Sequence, residues 1–272
     1  MFLKKTCIQG ESSGVRYING ILSWKGVQLN VHCFETDGGL IDTGAQSLLE
    51  EFKPFFAKAD IDQIIVTHAH EDHTGGAGFL QNEYGLPIYI HDMSIEECTE
   101  KAKYPLYRKW FWGKRQPFLA QPIGESFTSR NCSWSVITTP GHSNDHLAFL
   151  NSDTGQLFSG DLFVHPKTKL IMREESIPTI ISSIEKVLFF EFDELFCCHA
   201  GYVKEGRKAF QSKLDYLYEL RAQTLDLYAK GCHAIEIQTR LFPKKYPISR
   251  FSAGEWDSIH MINSIIKEAG TP

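Results

Sequence analysis

Thr67-His68-Ala69-His70-Glu71-Asp72-His73-Thr74-Gly75-Gly76 is the stretch on which the reading of this chain turns. It places three His and one Asp within six residues, directly after Gln63-Ile64-Ile65-Val66-Thr67, which reads as a short buried strand. Imidazole and carboxylate are zinc-type ligands, and a loop leaving a strand end can wrap side chains around a centre in a way that no strand or helix face can. Consecutive residues such as Asp72 and His73 can serve a different ion from the one bound by His68 and His70, so two metals are a natural solution. A lone histidine in a folded protein is more often structural, but H-x-H-x-D-H is a ligand density that polar loops do not ordinarily carry.

Outward from that loop, strands and helices alternate. From Val15 to Ile41 apolar and β-branched residues are broken by glycines, which predicts two or three antiparallel strands. Helical spacing follows over Gln46–Ala59 and Gly75–Tyr84, a strand over Pro87–His91, and a helix from Ser94 to about Lys103. Strands are expected at Ser133–Thr139, His146–Leu150, Gln156–Ser159 and Glu194–Cys198, with a helix over Pro178–Phe189 before the last. The result is a mixed, layered α/β domain with polar residues at its strand ends. After Lys204 the pattern is helical: a long stretch to about Ala229, a short one over Ala234–Leu241, and a last one after Ser252. There Ser252-Ala253-Gly254-Glu255 fits a capping box ahead of Trp256, Ile259, Ile262 and Ile266.

Composition bounds the function. At 272 residues, 42% apolar and 22% charged, the chain is globular and large enough for one large or two small domains. Its 28 basic and 33 acidic residues leave a net charge of −5, which argues against a general nucleic-acid or anionic-membrane binder. Seven cysteines, an odd number without a CxxC pair, suit a reduced, cytoplasmic location. The start, MFLKKTCIQGESSG, lacks the apolar core of a signal peptide, and no run reaches the ~18 apolar residues that span a bilayer. A soluble protein without a membrane partner is expected.

Three further motifs follow the first in order: Thr139-Pro140-Gly141-His142-Ser143, Ser159-Gly160-Asp161 and His199-Ala200-Gly201. With these four the chain resembles the metallo-β-lactamase superfamily over roughly residues 15 to 203. The resemblance implies a four-layered αββα sandwich with a metal site at one edge, here a catalytic domain of residues 1–203 with a C-terminal helical extension of residues 204–272. It further implies His68, His70 and His142 on a first metal, Asp72, His73 and His199 on a second, and Asp161 bridging them. Asp42 matches the aspartate that holds a ligand imidazole by its other ring nitrogen, and His146 the supporting histidine of P-G-H-x-x-x-H. The implied cofactor is two divalent ions, zinc first, with manganese and iron as alternatives. Two ions sharing a carboxylate can hold a water and lower its pKa from 15.7 toward about 7. Asp72 would then be catalytic, orienting the bridging hydroxide and accepting its proton.

Substrate class is read from departures. Position 164 is Val where acyl-homoserine lactonases have Tyr, and Leu162-Phe163-Val164-His165-Pro166-Lys167 does not match the glutathione-binding segment of glyoxalase II. The block through Ser143-Asn144-Asp145-His146 and the tail around Gly254-Glu255-Trp256 resemble the quorum-signal thioesterases, while the helical tail also resembles small β-lactamase-like endoribonucleases. Hydrolysis of an ester-like bond in a small acyl substrate (thioester, ester or lactone) is therefore expected. Cleavage of single-stranded RNA is the alternative, and a sulfur dioxygenase with one iron on His68, His142 and Asp161 is another. Between Tyr104 and Phe118 aromatics interleave with four cations, so Tyr107, Arg108, Trp110 and Trp112 are candidate substrate contacts, with an amphipathic helix burying Trp110 and Phe111 as the competing reading. His165, four residues after Asp161, is a further candidate. His32, His91, His233, His260, Cys197 and Cys198 read as structural. Tyr216, Tyr218 and Trp256 in the tail are compatible with a homodimer.

Overall fold

Three two-residue turns fold the first forty positions into a meander. Ser13-Gly14, Lys25-Gly26 and Asp37-Gly38 all have positive φ at both residues, the type I′ geometry whose twist matches that of the strands it joins. They connect β1 (Lys4–Ser12), β2 (Val15–Trp24), β3 (Val27–Thr36) and β4 (Gly39–Ile41). The computed structural model describes residues 3–270. Three short strands then add in parallel, β5 (Gln63–Ile65), β6 (Ile88–Ile90) and β7 (Gln121–Pro122), giving a seven-stranded sheet in sequential order. Its outer face is covered by α1 (Leu49–Phe56) and α3 (Ala77–Tyr84), whose Phe52, Phe55 and Leu80 join Ile18, Leu22 and Ile64 in one apolar cluster. Between β5 and α3 lies the single turn α2 (Glu71–Thr74).

The second sheet has six strands, ordered β14-β13-β11-β10-β9-β8. They are β8 (Ser126–Thr128), β9 (Ser133–Thr138), β10 (Leu147–Asn151), β11 (Gln156–Phe158), β13 (Glu194–Cys197) and β14 (Gly201–Val203). Its inner face packs on the first sheet through Phe149, Phe158 and Phe196 against Phe34, Ile41 and Ile65. Ile64 and Ile65, adjacent in β5, fall in different clusters because successive strand residues point to opposite faces. The outer face is covered by α6 (Ile177–Leu188), α7 (Gly206–Ala229), α8 (Ala234–Leu241) and α10 (Ile259–Ala269), which share a third cluster with it. The four layers are helix, sheet, sheet, helix.

Sequence reading and structure part at β1, after Ser94 and in the tail, and the short strands β7, β8 and β14 were not expected either. β1, KKTCIQGES, is largely exposed and carries no apolar alternation, yet it pairs with β2 over its whole length; an edge strand wet on both faces has no periodicity to read. The helix expected from Ser94 to Lys103 is one turn, α4 (Ile95–Cys98), and the chain next turns helical at α5 (Leu106–Phe111), where Pro105 disfavours helix at the residue before it. The capping box does not form. Ser252 Oγ accepts from Trp256 N, and the last helix starts only at Ile259. Instead α9 (Pro247–Phe251) runs into β15 (Trp256–Asp257), which pairs with β12 (Ile171–Met172). Glu255 is used elsewhere, as described below. None of the described helices is long and apolar enough to cross a membrane.

Candidate metal centre

Strand direction gathers the motifs. β10 runs antiparallel to both β9 and β11, and β13 runs parallel to β11, so β9, β11 and β13 end at the same edge of the second sheet. His142, Asp161 and His199 each follow one of those ends, while His68 follows β5 and Asp42 follows β4 in the first sheet. α2 turns Asp72 and His73 back toward the same point, and Gly75 passes so close to Gln46 that no side chain would fit there.

Of the groups of three donors that result, two are made of candidate ligands alone and share no residue. His68, His70 and His142 form one, and Asp72, His73 and His199 the other, each with its ligand atoms within 4.8 Å of one another. His70 Nδ1 lies 3.0 Å from His68 Nε2 and 3.0 Å from His142 Nε2. Asp161 stands between the groups, with Oδ2 2.9 Å from His199 Nε2 and 3.4 Å from His142 Nε2. Asp72 Oδ2 is 3.8 Å from His73 Nε2 and 3.7 Å from His199 Nε2.

The outer ring nitrogens are held by other partners, and these fix which nitrogen faces inward with a lone pair. His73 Nδ1 donates to Asp42 Oδ2 at 2.7 Å, and the same carboxylate accepts from Thr67 N, Thr67 Oγ1 and Cys198 Sγ. Asp42 holds this place with φ 58°, a strained value for a residue other than glycine. His199 Nδ1 donates to Asn30 O, and His142 Nδ1 faces Glu175 Oε2 at 3.2 Å. His146, fully buried, does not face the cluster with a free nitrogen: Nε2 accepts from Asp161 N at 2.9 Å, and Nδ1 meets Thr139 Oγ1 at 2.8 Å.

This donor set suits cations. Lone pairs of His142, His73 and His199 converge on a carboxylate, an arrangement that is repulsive without positive charge between them. His73 Nε2 and Asp161 Oδ1 are buried without a hydrogen-bond partner, a cost that ligation removes. The electrostatics agree. Burial and the neighbouring imidazoles hold His68 and His70 well below the usual histidine range. At His199 burial acts in the same direction, but Asp161 and Asp72 outweigh it and push the imidazole up to about 9, which reflects the negative potential a cation meets there.

A cavity of about 490 Å³ opens from the cluster, within the range of small-molecule sites. Its walls include Phe111, Trp112, Ile171, Met172, Phe251 and Trp256, together with Tyr107, Arg108 and His165. Trp110 is not among the lining residues; it packs edge-on against Trp24 at 4.9 Å and stays 45% exposed. Arg108 lines the cavity with its charge already matched, because Nε and Nη2 each donate to Glu71 at 2.6 Å. Lys213, 4% exposed, likewise donates Nζ to Leu162 O and Phe163 O, pinning the turn after Asp161. Glu175 and Lys213 have no mark in sequence, since each acts through a fold contact; Thr67 stands in the first motif with no role read for it, and Cys198, read as structural, reaches Asp42.

The sequence model of the metallo-beta-lactamase superfamily matches residues 35–220. A probable metallo-hydrolase YybB of Bacillus subtilis is 26% identical over 48% of this chain, and the beta-lactamase-like protein 2 homolog of Drosophila melanogaster 24% identical over 78%. A hydroxyacylglutathione hydrolase of Bdellovibrio bacteriovorus is 30% identical over 39%. The chain spans 59%, 70% and 36% of those three proteins. Among solved structures, a metallo-beta-lactamase family protein from Thermus thermophilus has the same fold, with a TM-score of 0.68 at 19% identity over 94% of both chains.

Proposed function

The chain belongs to the metallo-β-lactamase superfamily of hydrolases, and from that premise we propose that it cleaves an ester-like bond, a thioester, ester or lactone, in a small acyl substrate with two divalent cations of the zinc type. The observation that carries this reading is the pair of donor groups sharing Asp161 at the mouth of a cavity walled by aromatic and aliphatic side chains. His68, His70 and His142 would hold one cation, Asp72, His73 and His199 the other, with Asp161 common to both. Bound there, the cations supply Lewis acidity and make hydroxide available near neutral pH.

The chain's own residues do the rest. Asp42, Glu175 and Asn30 O fix three imidazoles so that the inward nitrogens are lone-pair donors. His146 holds the backbone of Asp161 and so fixes the point from which the shared carboxylate extends. Asp72 presents a carboxylate oxygen at the cluster that can orient a water and take its proton. The apolar cavity walls would receive an acyl group beside the cluster. Arg108, Lys213 and Glu175 are already partnered within the protein, so the interior offers an incoming group mainly apolar and aromatic surface. His165 and Tyr107 are among the polar groups that line the cavity, beside Gln28, Asn30, Lys167, Thr168 and Lys169, with Trp112 forming part of the wall. The net charge of −5 disfavours RNA.

The test is a screen of protein reconstituted with zinc or manganese against acyl thioesters, lactones, phosphodiesters and single-stranded RNA. Turnover of thioester, ester or lactone with two ions per chain is expected. Cleavage of RNA alone would reassign the substrate, one iron per chain with sulfur oxygenation would replace the hydrolytic reading, and loaded protein that turns over nothing would end it.

A further inference from the structure

We propose that Arg108 is a positioning residue that fastens the C-terminal segment over the cavity to the ligand-bearing loop, so that cation binding and docking of that segment stabilise one another. This rests on reading the two donor groups as a cation site.

Glu71 sits between His70 and Asp72 and is 2% exposed. Both its oxygens are taken by the Arg108 fork, Nε to Oε1 and Nη2 to Oε2, each at 2.6 Å. A planar bidentate pair of this kind fixes orientation as well as distance. The remaining nitrogen, Nη1, reaches Glu255 Oε1 at 3.4 Å and lies 3.9 Å from Glu174 Oε1. One guanidinium therefore joins the first motif, α5, the loop before α6 and the tail.

The tail also reaches the other half of the cluster. Trp256, next to Glu255, pairs in register with Met172, whose backbone N donates to Glu175 Oε1, and Glu175 faces His142. Phe251 anchors the segment among Trp24, Tyr107, Trp110 and Phe111, with centroid separations of 5.3 to 6.0 Å. Docking thus presents one carboxylate to Arg108 and one backbone edge to β12, whose Met172 N donates to Glu175.

Charge decides the sign of the coupling. Around Arg108 stand Glu71, Glu174 and Glu255, with Asp72 next along the chain from Glu71. Docking Glu255 adds negative charge to a region that is already short of positive charge. Cations held by Asp72 and its neighbours relieve that repulsion, so they favour the docked tail, and by linkage the docked tail favours the cations. If the Arg108 contacts only held the fold together, removing Glu255 would lower the melting temperature and leave cation affinity alone.

The experiment uses the full chain and zinc alone. Zinc affinity is measured by competition with a chromophoric chelator for the natural protein, E255Q, F251A and R108K, and hydrogen exchange of residues 246–257 is followed with and without zinc. In the natural protein zinc should slow exchange there, and E255Q and F251A should each weaken zinc binding about 3- to 10-fold while losing that protection. R108K keeps the charge without the fork and should weaken zinc binding by about 10- to 100-fold. Should R108K not fold, E255Q and F251A, which leave the Glu71–Arg108 pair intact, carry the test. Zinc affinities of E255Q and F251A within about twofold of the natural protein overturn the proposal, as does exchange that zinc leaves unchanged. Failure of the natural protein to bind zinc at all would instead remove the cation reading beneath it.

Discussion

Glu175 and Gly160 show how much of this centre depends on residues that touch no reacting atom. Glu175 accepts from Met172 N and faces His142 Nδ1, so it sets the tautomer that turns a lone pair inward. Glu175→Gln keeps the shape and removes the charge; cation affinity should fall by about 10- to 100-fold, read by chelator competition, with little change in melting temperature. Gly160 has φ +49°, and a Cβ there would stand 2.6 Å from His146 Nε2, the atom that accepts from Asp161 N. Gly160→Ala should therefore displace the Asp161 backbone, cost about 1–3 kcal/mol in denaturant unfolding and cut hydrolysis more than tenfold. Asp72→Ala removes the proposed proton acceptor along with a donor; loss of hydrolysis by about 10²-fold or more is expected, and a variant of undiminished rate would refute that role. Four of the seven candidate donors, His68, His70, Asp72 and His73, were legible from one dense motif, while His142, Asp161 and His199 came from the ordered motifs of the family resemblance. Glu175 was not legible, since it stands 33 residues from His142 (175 − 142) and meets it only through the loop before α6.

Among the elements, the tail departs furthest from its sequence pattern. Ser252 to Glu255 matches a helix start, but a capping box competes with whatever else its carboxylate can reach, and here Glu255 pairs with Arg108 while Trp256 enters a two-stranded pairing with Met172. Local propensity gave way to tertiary contacts that recover a buried guanidinium's third edge. α9 in turn forms part of the cavity wall through Ile248 and Phe251. Truncating the wall at Ile248→Ala should raise KM about 5- to 10-fold for acyl chains long enough to reach it and leave kcat for an acetyl substrate unchanged, because such a contact is made equally in ground and transition states. A uniform loss across chain lengths would place the acyl group elsewhere. The first sheet behaved differently: its strands were legible from Val15 to Ile41 and at β5 and β6, while the wet edge strand β1 and the two-residue β7 escaped.

At the scale of the molecule, the two sheets close over groups that water would otherwise charge. His32 in β3 is mostly buried against Cys198, and burial chiefly, with His199 nearby, lowers its pKa to about 4 despite the hydrogen bond to Cys198 O. Folded His32 thus stays neutral at a pH where the unfolded chain takes up a proton. Its contribution to stability is present above about pH 6.5 and is lost as pH falls toward 4, by up to about 3 kcal/mol. In metal-free protein His32→Asn should flatten the decline of unfolding free energy across that window, and an unchanged slope would contradict the assignment. The sequence by itself determined the donor chemistry, the order of the motifs and the layered α/β class, because these rest on residue type, spacing and periodicity along the chain. Only the tertiary structure decided that Glu175 and Asn30 O hold two of the donors, that Trp110 stands outside the cavity, and that the C-terminal segment walls it. Those facts depend on which strand ends share an edge and on which buried charge meets which, neither of which spacing along a chain records.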